Sequence, residues 1–294
     1  MGEATGLCGG RSFAGPDPDR MGWISGARTV MRAVIIGAGR GSRLGPHTES
    51  MPKTLVQVMG RPMLDWILDA LSAAGFARSQ IVFISGFAEE QLKARYPDLT
   101  YVRNHDWPNN NILLSLLCAR DYLGDGFVST YADIVYEPDL VARLVRRTED
   151  IVLGSDTAWR RRYTDRSHHP ETDAEKLRTR GEQVIEISRR IPAENADGEF
   201  VGVMKLSRKG AAELLAAFDR VRATRADGIF REGRTLQRAY LIDLLQYMLE
   251  LGSIMHREDT DGGYMEIDTV EDLAHAAEWW ASRPQSRRAT SGRH

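Results

Sequence analysis

One short stretch constrains this chain more than any other: V-I-I-G-A-G-R-G-S-R-L, from Val34 to Leu44. Its apolar start reads as a buried strand. Gly37, Gly39 and Gly41 follow at alternate positions, then Ser42 and Arg43. Without a Cβ, glycines let the backbone turn tightly and come close to a ligand. Amide N–H groups exposed in such a loop form a concave cradle for anions. Arg43, and Lys53 in the dipeptide Pro52-Lys53, can add full positive charge to a phosphate chain. The spacing G-x-G-x-G matches neither the G-x-G-x-x-G of dinucleotide folds nor a P-loop, whose Lys directly follows its last Gly. Alone, a glycine-rich turn after a strand is ordinary. With both cations beside it, the turn points to phosphate handling and a nucleotide-using enzyme.

Strands and helices alternate through the first half of the chain. Arg32 to Gly37, Gln80 to Gly86, Thr100 to Asn104 and Gly126 to Asp133 read as strands. Met63 to Gly75 has helical apolar spacing and a glycine stop; Glu89 to Tyr96 and Ile112 to Leu123, the latter behind Asn111, also read as helices. This alternation predicts an α/β fold with a doubly wound, mostly parallel central sheet. After Glu149 the pattern changes. Asp150 to Asp156, Gln183 to Ser188 and Phe200 to Leu206 read as strands between long polar loops, a small sheet extension. Helices around Lys209 to Ala223 and Thr235 to Leu251 follow, and the apolar stripe of the second packs on the core or on a second subunit, as in a homodimer. Residues 1–30 and 281–294 read as disordered tails flanking one domain, 31–280.

The 294 residues carry a formal net charge of -2, so no broad field favours nucleic acid or an anionic membrane. No run approaches the ~20 apolar residues that span a bilayer, and the N-terminus lacks a signal-peptide core. The two cysteines, Cys8 and Cys118, suit neither a disulfide framework nor a Cys-based zinc site; Cys118, inside L-L-S-L-L-C-A, reads as core. Basic residues gather at Arg160, Arg161, Arg162, Arg166, Lys176, Arg178 and Arg180, either a solvated loop or a positive rim over phosphates. His168 and His169 lack the H-x-x-x-H spacing of helical zinc sites and read as no metal pair.

The motif I-G-A-G-R-G-S-R with its later Pro-Lys resembles the opening of sugar-phosphate nucleotidyltransferases, L-A-A-G-x-G-x-R, with Gly37 where Ala is usual, a small and sterically permissive change. H-D-W-P-N-N-N-I (His105 to Ile112), T-Y-A-D-I-V-Y (Thr130 to Tyr136) and M-E-I-D-T-V-E-D-L (Met265 to Leu273) narrow the resemblance to the phosphocholine and phosphonate cytidylyltransferases, over roughly Met31 to Trp280. It implies a Rossmann-like nucleotidyltransferase fold and a cytoplasmic enzyme. Its reaction would transfer CMP from CTP to a small phosphonate or phosphate monoester, releasing pyrophosphate. Two alternatives stand beside it: a sugar-1-phosphate or inositol-phosphate nucleotidyltransferase using another triphosphate, and an inactive regulatory homologue.

The resemblance assigns the Mg²⁺ cofactor to Asp133 and Asp268, and the leaving pyrophosphate to Arg43 and Lys53. Asp133 lies past the C-terminal end of a strand, where open α/β sheets bind ligands, or is a turn residue. Asp268 precedes the helix V-E-D-L-A-H-A-A-E-W-W, so helix capping is its rival role. Nucleotide contacts fall to Gly37, Ala38, Gly39, Arg40, Gly41, Ser42, Gly86 and Asn111, with Asn111 equally suited to a cap. Acceptor contacts fall to Asn111, Asp156, Lys176 and Glu199. Trp159, Tyr163, Tyr240 and Tyr264 are available for an aromatic box around a quaternary ammonium, although their convergence cannot be read from sequence.

Overall fold

The computed structural model describes residues 30–164, 166–225 and 228–282. The two expected tails lie outside these residues except for Val30, Ala281 and Ser282. The first half runs β1 (Arg32–Ile36), β2 (Gln57–Val58), β3 (Arg61–Pro62), α1 (Met63–Ala73), β4 (Ile81–Ser85), α2 (Glu89–Arg95), β5 (Thr100–Arg103), α3 (Ile112–Cys118), β6 (Phe127–Tyr131), β7 (Ile134–Tyr136) and α4 (Asp139–Arg146). The second half runs β8 (Ile151–Asp156), β9 (Lys176–Arg180), β10 (Gln183–Ser188), β11 (Gly198–Leu206), α5 (Arg208–Arg225), β12 (Ile229–Arg231), β13 (Arg234–Thr235), α6 (Leu241–Glu250), β14 (Met255–Thr260), β15 (Tyr264–Glu266) and α7 (Val270–Ser282).

Nine strands form the main sheet in the order β5-β4-β1-β6-β11-β8-β14-β10-β9. The expected parallel character holds from β5 through β4 and β1 to β6, and again between β8 and β14. β11 runs antiparallel to both β6 and β8, and β9 and β10 form an antiparallel extension, so the whole sheet is mixed.

Strand β1 shows why the sheet is covered on both faces. Alternate residues of a strand point to opposite sides. Val34 and Ile36 join one apolar cluster with Leu113, Leu214 and Leu244 from α3, α5 and α6. Ala33 and Ile35 join another with Leu64, Leu92 and Leu140 from α1, α2 and α4. A strand buried on both faces reads as an unbroken apolar run, which is how β1 is written.

Three local readings change. Cys118 is exposed, because the buried face of α3 is set by Leu113 and Leu116 and the next position on that stripe is Ala119. The helix expected from Thr235 starts at Leu241, where Asp243 Oδ2 accepts the Tyr240 N–H at 2.7 Å. Its apolar stripe, Leu241, Leu244, Leu245 and Met248, packs into the core. Strand β14, M-H-R-E-D-T, was not legible as a strand. Its charges are paired sideways, with Arg143 Nε 3.0 Å and Arg147 Nη1 3.3 Å from Glu258.

β1 exits between β4, whose connection leads away to one edge, and β6, on the other side. This is the reversal of strand order where doubly wound sheets hold ligands beyond the carboxyl ends of their strands.

Candidate active site

The glycine loop leaves β1 at that point. Ala132 N donates to Ile36 O at 3.2 Å and Phe87 N to Ala38 O at 3.0 Å, tying the loop to both neighbouring strand ends. Gly37 is required by its surroundings rather than permissive. A Cβ there would meet Phe83 Cζ at 2.6 Å and Ala132 Cβ at 2.7 Å. Gly41 has φ +73°, a left-handed conformation that L side chains avoid.

Lys53 lies beneath this loop, on a 3-10 turn covering Lys53–Leu55. Its Nζ donates to Asp133 Oδ2 at 2.7 Å and also to Asp268 Oδ1. Arg43, half exposed, donates to the other oxygen of Asp268. Burial opposes charge on Lys53, yet Asp133, Asp268 and Glu266 together push its pKa above the ordinary lysine value. Burial likewise opposes ionisation of Asp268, but Lys53 and Arg43 hold it well below the usual carboxylate range. Glu266 moves the opposite way, raised by burial and by the neighbouring Asp268 and Asp133 charges.

A small two-stranded sheet brings the distant motifs together. β15 pairs with β7, setting Glu266 opposite Ile134, and Ile267 N donates to Asp133 O at 2.9 Å. The capping role expected as a rival for Asp268 belongs to its neighbours. Thr269 Oγ1 accepts the Asp272 N–H at 3.1 Å while Asp272 Oδ2 accepts the Thr269 N–H at 2.8 Å, a reciprocal capping box. The Asp268 side chain is therefore free to face the cations.

The cleft under the loop has a volume of about 300 Å³. Gly37, Ala38, Gly39, Gly41, Ser42, Arg43, Lys53, Asn111, Asp133 and Asp268 line it, together with Trp107 and Ser115. Two expected nucleotide residues lie outside it. Arg40 packs over Phe87 and donates to Thr48 O at 3.1 Å. Gly86 is pressed by Ala38 O and the Trp107 ring, at 2.5 and 2.8 Å from a notional Cβ. Asn111 caps α3 through Oδ1, which accepts the Ile112 N–H at 2.8 Å, and still borders the cleft. Asn110 is interlocked with Asn104 through two amide hydrogen bonds of 2.9 and 3.0 Å.

A second cavity of about 380 Å³ continues past Asp133 and Asp268, walled by Tyr131, Asp173, Glu175, Arg189 and Tyr240. Three expected acceptor contacts are placed elsewhere. Asp156 and Glu199 are buried and share Arg162, with Asp156 Oδ1 also accepting the Ala158 and Gly262 N–H groups at 2.9 and 2.8 Å. Lys176 points its Nζ at the carbonyls of Glu171 and Ala174, 3.4 and 3.3 Å away. Buried charges need partners, and these three find theirs within the fold.

Of the residues that take the cavity, Tyr131 lies in T-Y-A-D-I-V-Y and Tyr240 is one of the four candidate aromatics, whereas Arg189 belongs to no motif. Arg189 lies over the Tyr240 ring at 4.0 Å, and Arg234 over the same ring at 4.5 Å. Glu175 accepts from Tyr131 OH at 3.1 Å, and burial raises its pKa to about 7 against the opposing effect of Arg189. Of the four candidate aromatics only Tyr240 reaches this cavity; Trp159 and Tyr163 pack on each other, and Tyr264 lies under Arg162. The one usable signal was the motif M-E-I-D, which puts Glu266, the last residue of β15, two positions before Asp268.

Magnesium is the cofactor that the sequence resemblance implies, and the donors fit it. Asp133 and Asp268 both reach one ammonium, so their oxygens already converge on a cation, and Mg²⁺ is content with one or two carboxylates completed by water and phosphate. His169, Glu266 and Asp268 form another convergence able to hold a divalent ion. Among the described residues no helix is long and apolar enough to cross a membrane.

Comparison with known proteins agrees with this arrangement. The family description MobA-like NTP transferase domain matches residues 33–227. The CTP:phosphoglutamine cytidylyltransferase of Campylobacter jejuni is 26% identical over 253 residues, spanning 83% of this chain and 98% of that protein. The 2-aminoethylphosphonate cytidylyltransferase of Lancefieldella rimae is 37% identical over 112 residues, but that match spans only 37% of this chain and 43% of the relative. Among solved structures, the CTP:phosphocholine cytidylyltransferase of Streptococcus pneumoniae superposes with a TM-score of 0.61 at 20% identity, over 84% of this chain and 98% of that one, a likeness of fold.

Proposed function

Because the chain belongs to the MobA-like NTP transferase family, we propose that it is a cytidylyltransferase, moving CMP from CTP onto a small phosphonate or phosphate monoester and releasing pyrophosphate. The observation that carries this reading is the placement of Lys53 between Asp133 and Asp268 beneath the glycine loop. The triphosphate lies along the amides of Gly37 to Ser42. Arg43 and Lys53 then exchange their carboxylate partners for phosphate oxygens and hold the charge that develops on the leaving pyrophosphate. Magnesium, held by Asp133 and Asp268, supplies neutralisation of phosphate charge when bound. The acceptor is already an anionic oxygen, so no general base is needed, and the chain's task is to align it for in-line attack.

Acceptor selection belongs to the second cavity. Arg189 is fixed by its stacking on Tyr240 and faces an anionic head, while Asp173 and Glu175 can receive an amine or hydroxyl from its far end. A quaternary ammonium would want open aromatic faces, but the Tyr240 ring is already covered by two guanidiniums. The reading therefore favours acceptors of the 2-aminoethyl- or 2-hydroxyethylphosphonate kind over phosphocholine. Pyrophosphate release, measured for each nucleoside triphosphate against phosphonates, phosphocholine and sugar phosphates, tests it. CTP with a phosphonate should exceed CTP with phosphocholine by roughly 10-fold in kcat/KM. Robust turnover only with a sugar-1-phosphate or inositol phosphate and another triphosphate would overturn the assignment.

A further inference from the structure

We propose that His169, Glu266 and Asp268 form a divalent-cation site of their own, on the acceptor side of the cleft and separate from the position that Asp133 and Asp268 define around Lys53. One donor atom from each of the three lies within 4.8 Å of the others. His169 is only 2% exposed. Its two ring nitrogens face different partners: Nδ1 lies 3.5 Å from Asp272 Oδ2, and Nε2 lies 3.4 Å from Glu266 Oε2.

Asp272 determines which nitrogen carries the proton. Its Oδ2 accepts the N–H groups of Asp268 and Thr269 at 2.9 and 2.8 Å, and its Oδ1 stands 2.9 Å from Arg166 Nε. A carboxylate held by so many donors is an acceptor only. The imidazole proton belongs on Nδ1, facing it, which turns the Nε2 lone pair toward Glu266. Two lone-pair bearers at 3.4 Å, with a second carboxylate beside them, repel unless a metal cation or a proton on Glu266 sits among them. This is the carboxylate–histidine–metal arrangement, in which an outer carboxylate fixes the ring and its tautomer. Asp272 also holds the backbone of Asp268, so one outer residue positions two ligands.

The surrounding charge supports a cation. Asp133, Asp173, Glu175, Glu266 and Asp268 wall the cavity against Arg43 and Arg189, with Lys53 reaching Asp133 and Asp268 from the neighbouring cleft, so the carboxylates outnumber these cations. A nitrogen with two carboxylates suits Mn²⁺ or Zn²⁺ better than Mg²⁺, which prefers oxygen alone. The competing occupant is a proton held between Glu266 Oε2 and His169 Nε2, since burial and the Asp268 and Asp133 charges push the Glu266 carboxyl up. The site requires neither nucleotide nor acceptor, so it stands or falls apart from the transfer reaction.

Mn²⁺ binding to the nucleotide-free full chain, followed by electron paramagnetic resonance, tests the site. The expected result is one bound Mn²⁺ with magnetic coupling to a nitrogen, retained in Asp133→Asn. His169→Gln should remove the nitrogen coupling, and Asp272→Asn should weaken binding by about 10–100-fold, with melting curves run on each variant. Absence of nucleotide-free binding would overturn the proposal and leave a proton as the occupant. Bound Mn²⁺ without nitrogen coupling, lost in Asp133→Asn, would overturn it equally. Wild type and Asp133→Asn decide the question even if a His169 variant fails to fold.

Discussion

Gly41 lies against the stem of Lys53, so closely that a Cβ at position 41 would stand 2.5 Å from Lys53 Cδ. The loop and the buried cation are thus one interlocked unit. Gly41→Ala should cost about 1–2 kcal/mol of stability through its left-handed backbone alone. Displacement of Lys53 should add a loss of kcat/KM larger than the stability change explains. A melting curve beside steady-state kinetics checks this, and a variant that melts early but turns over normally would show the interlock to be unimportant.

Asp133→Ala and Asp268→Ala should each reduce turnover in Mg²⁺ by at least ~100-fold while the chain stays folded. The α7 cap is carried by Thr269 and Asp272, so removing the Asp268 carboxylate leaves the helix start intact. Near-normal activity in either variant would remove that residue from the metal site.

Lys53→Ala deletes a charge-assisted contact to the triphosphate worth roughly 1.5–3 kcal/mol, and kcat/KM for the preferred triphosphate should fall accordingly. The variant also leaves Asp133 and Asp268 facing each other without the ammonium between them. Its metal-free form should therefore lose more stability than its Mg²⁺-bound form. Unchanged kcat/KM would show that Lys53 serves only the fold.

Glu175 carries a pH dependence whose sign can be worked out. Its pKa is raised to about 7 in the folded chain, against ~4.3 in an unfolded one. Between these values the folded state keeps a proton that the unfolded state has released. Stability from this group is therefore fully present below the unfolded pKa and falls as pH rises toward 7. The acceptor site follows the same titration. Below about 7, Arg189 faces Asp173 at 3.9 Å but no charge on Glu175, and can take an anion; above it, ionised Glu175 competes for the guanidinium. Acceptor kcat/KM should fall above that pH more steeply in the wild type than in Glu175→Gln. Parallel profiles would exclude Glu175 as the cause.

The parts of the fold that sequence made legible are those written locally. The strand before Gly37, the helix from Met63 and the Asn111 cap rest on residues a few positions apart. The site resisted where it depends on long-range contact. Lys53 and Asp268 are 215 positions apart, and they meet because Leu44, Val56 and Val58 pack with Met265 and Ile267 while β15 pairs with β7. Asp156, Lys176 and Glu199 look like ligands in a polar stretch because Arg162, which neutralises two of them, is indistinguishable there from its exposed neighbours Arg160 and Arg161. Gly37 misled for a similar reason. Its need for space comes from Phe83 and Ala132, on two other segments.

The first half of the chain contributes to both cavities, whereas the later segments, Asp268 apart, line only the second. Among the described residues, every one bordering the glycine-loop cleft except Asp268 comes from positions 36–133, whereas Asp173, Glu175, Arg189 and Tyr240 of the adjoining cavity come from later segments. Exchange of these later segments between related chains would alter the second cavity's chemistry while leaving the glycine-loop side as it is. The seam for such a graft lies just after Asp133, and Asp268 is the one residue that the incoming half would have to return to the older site.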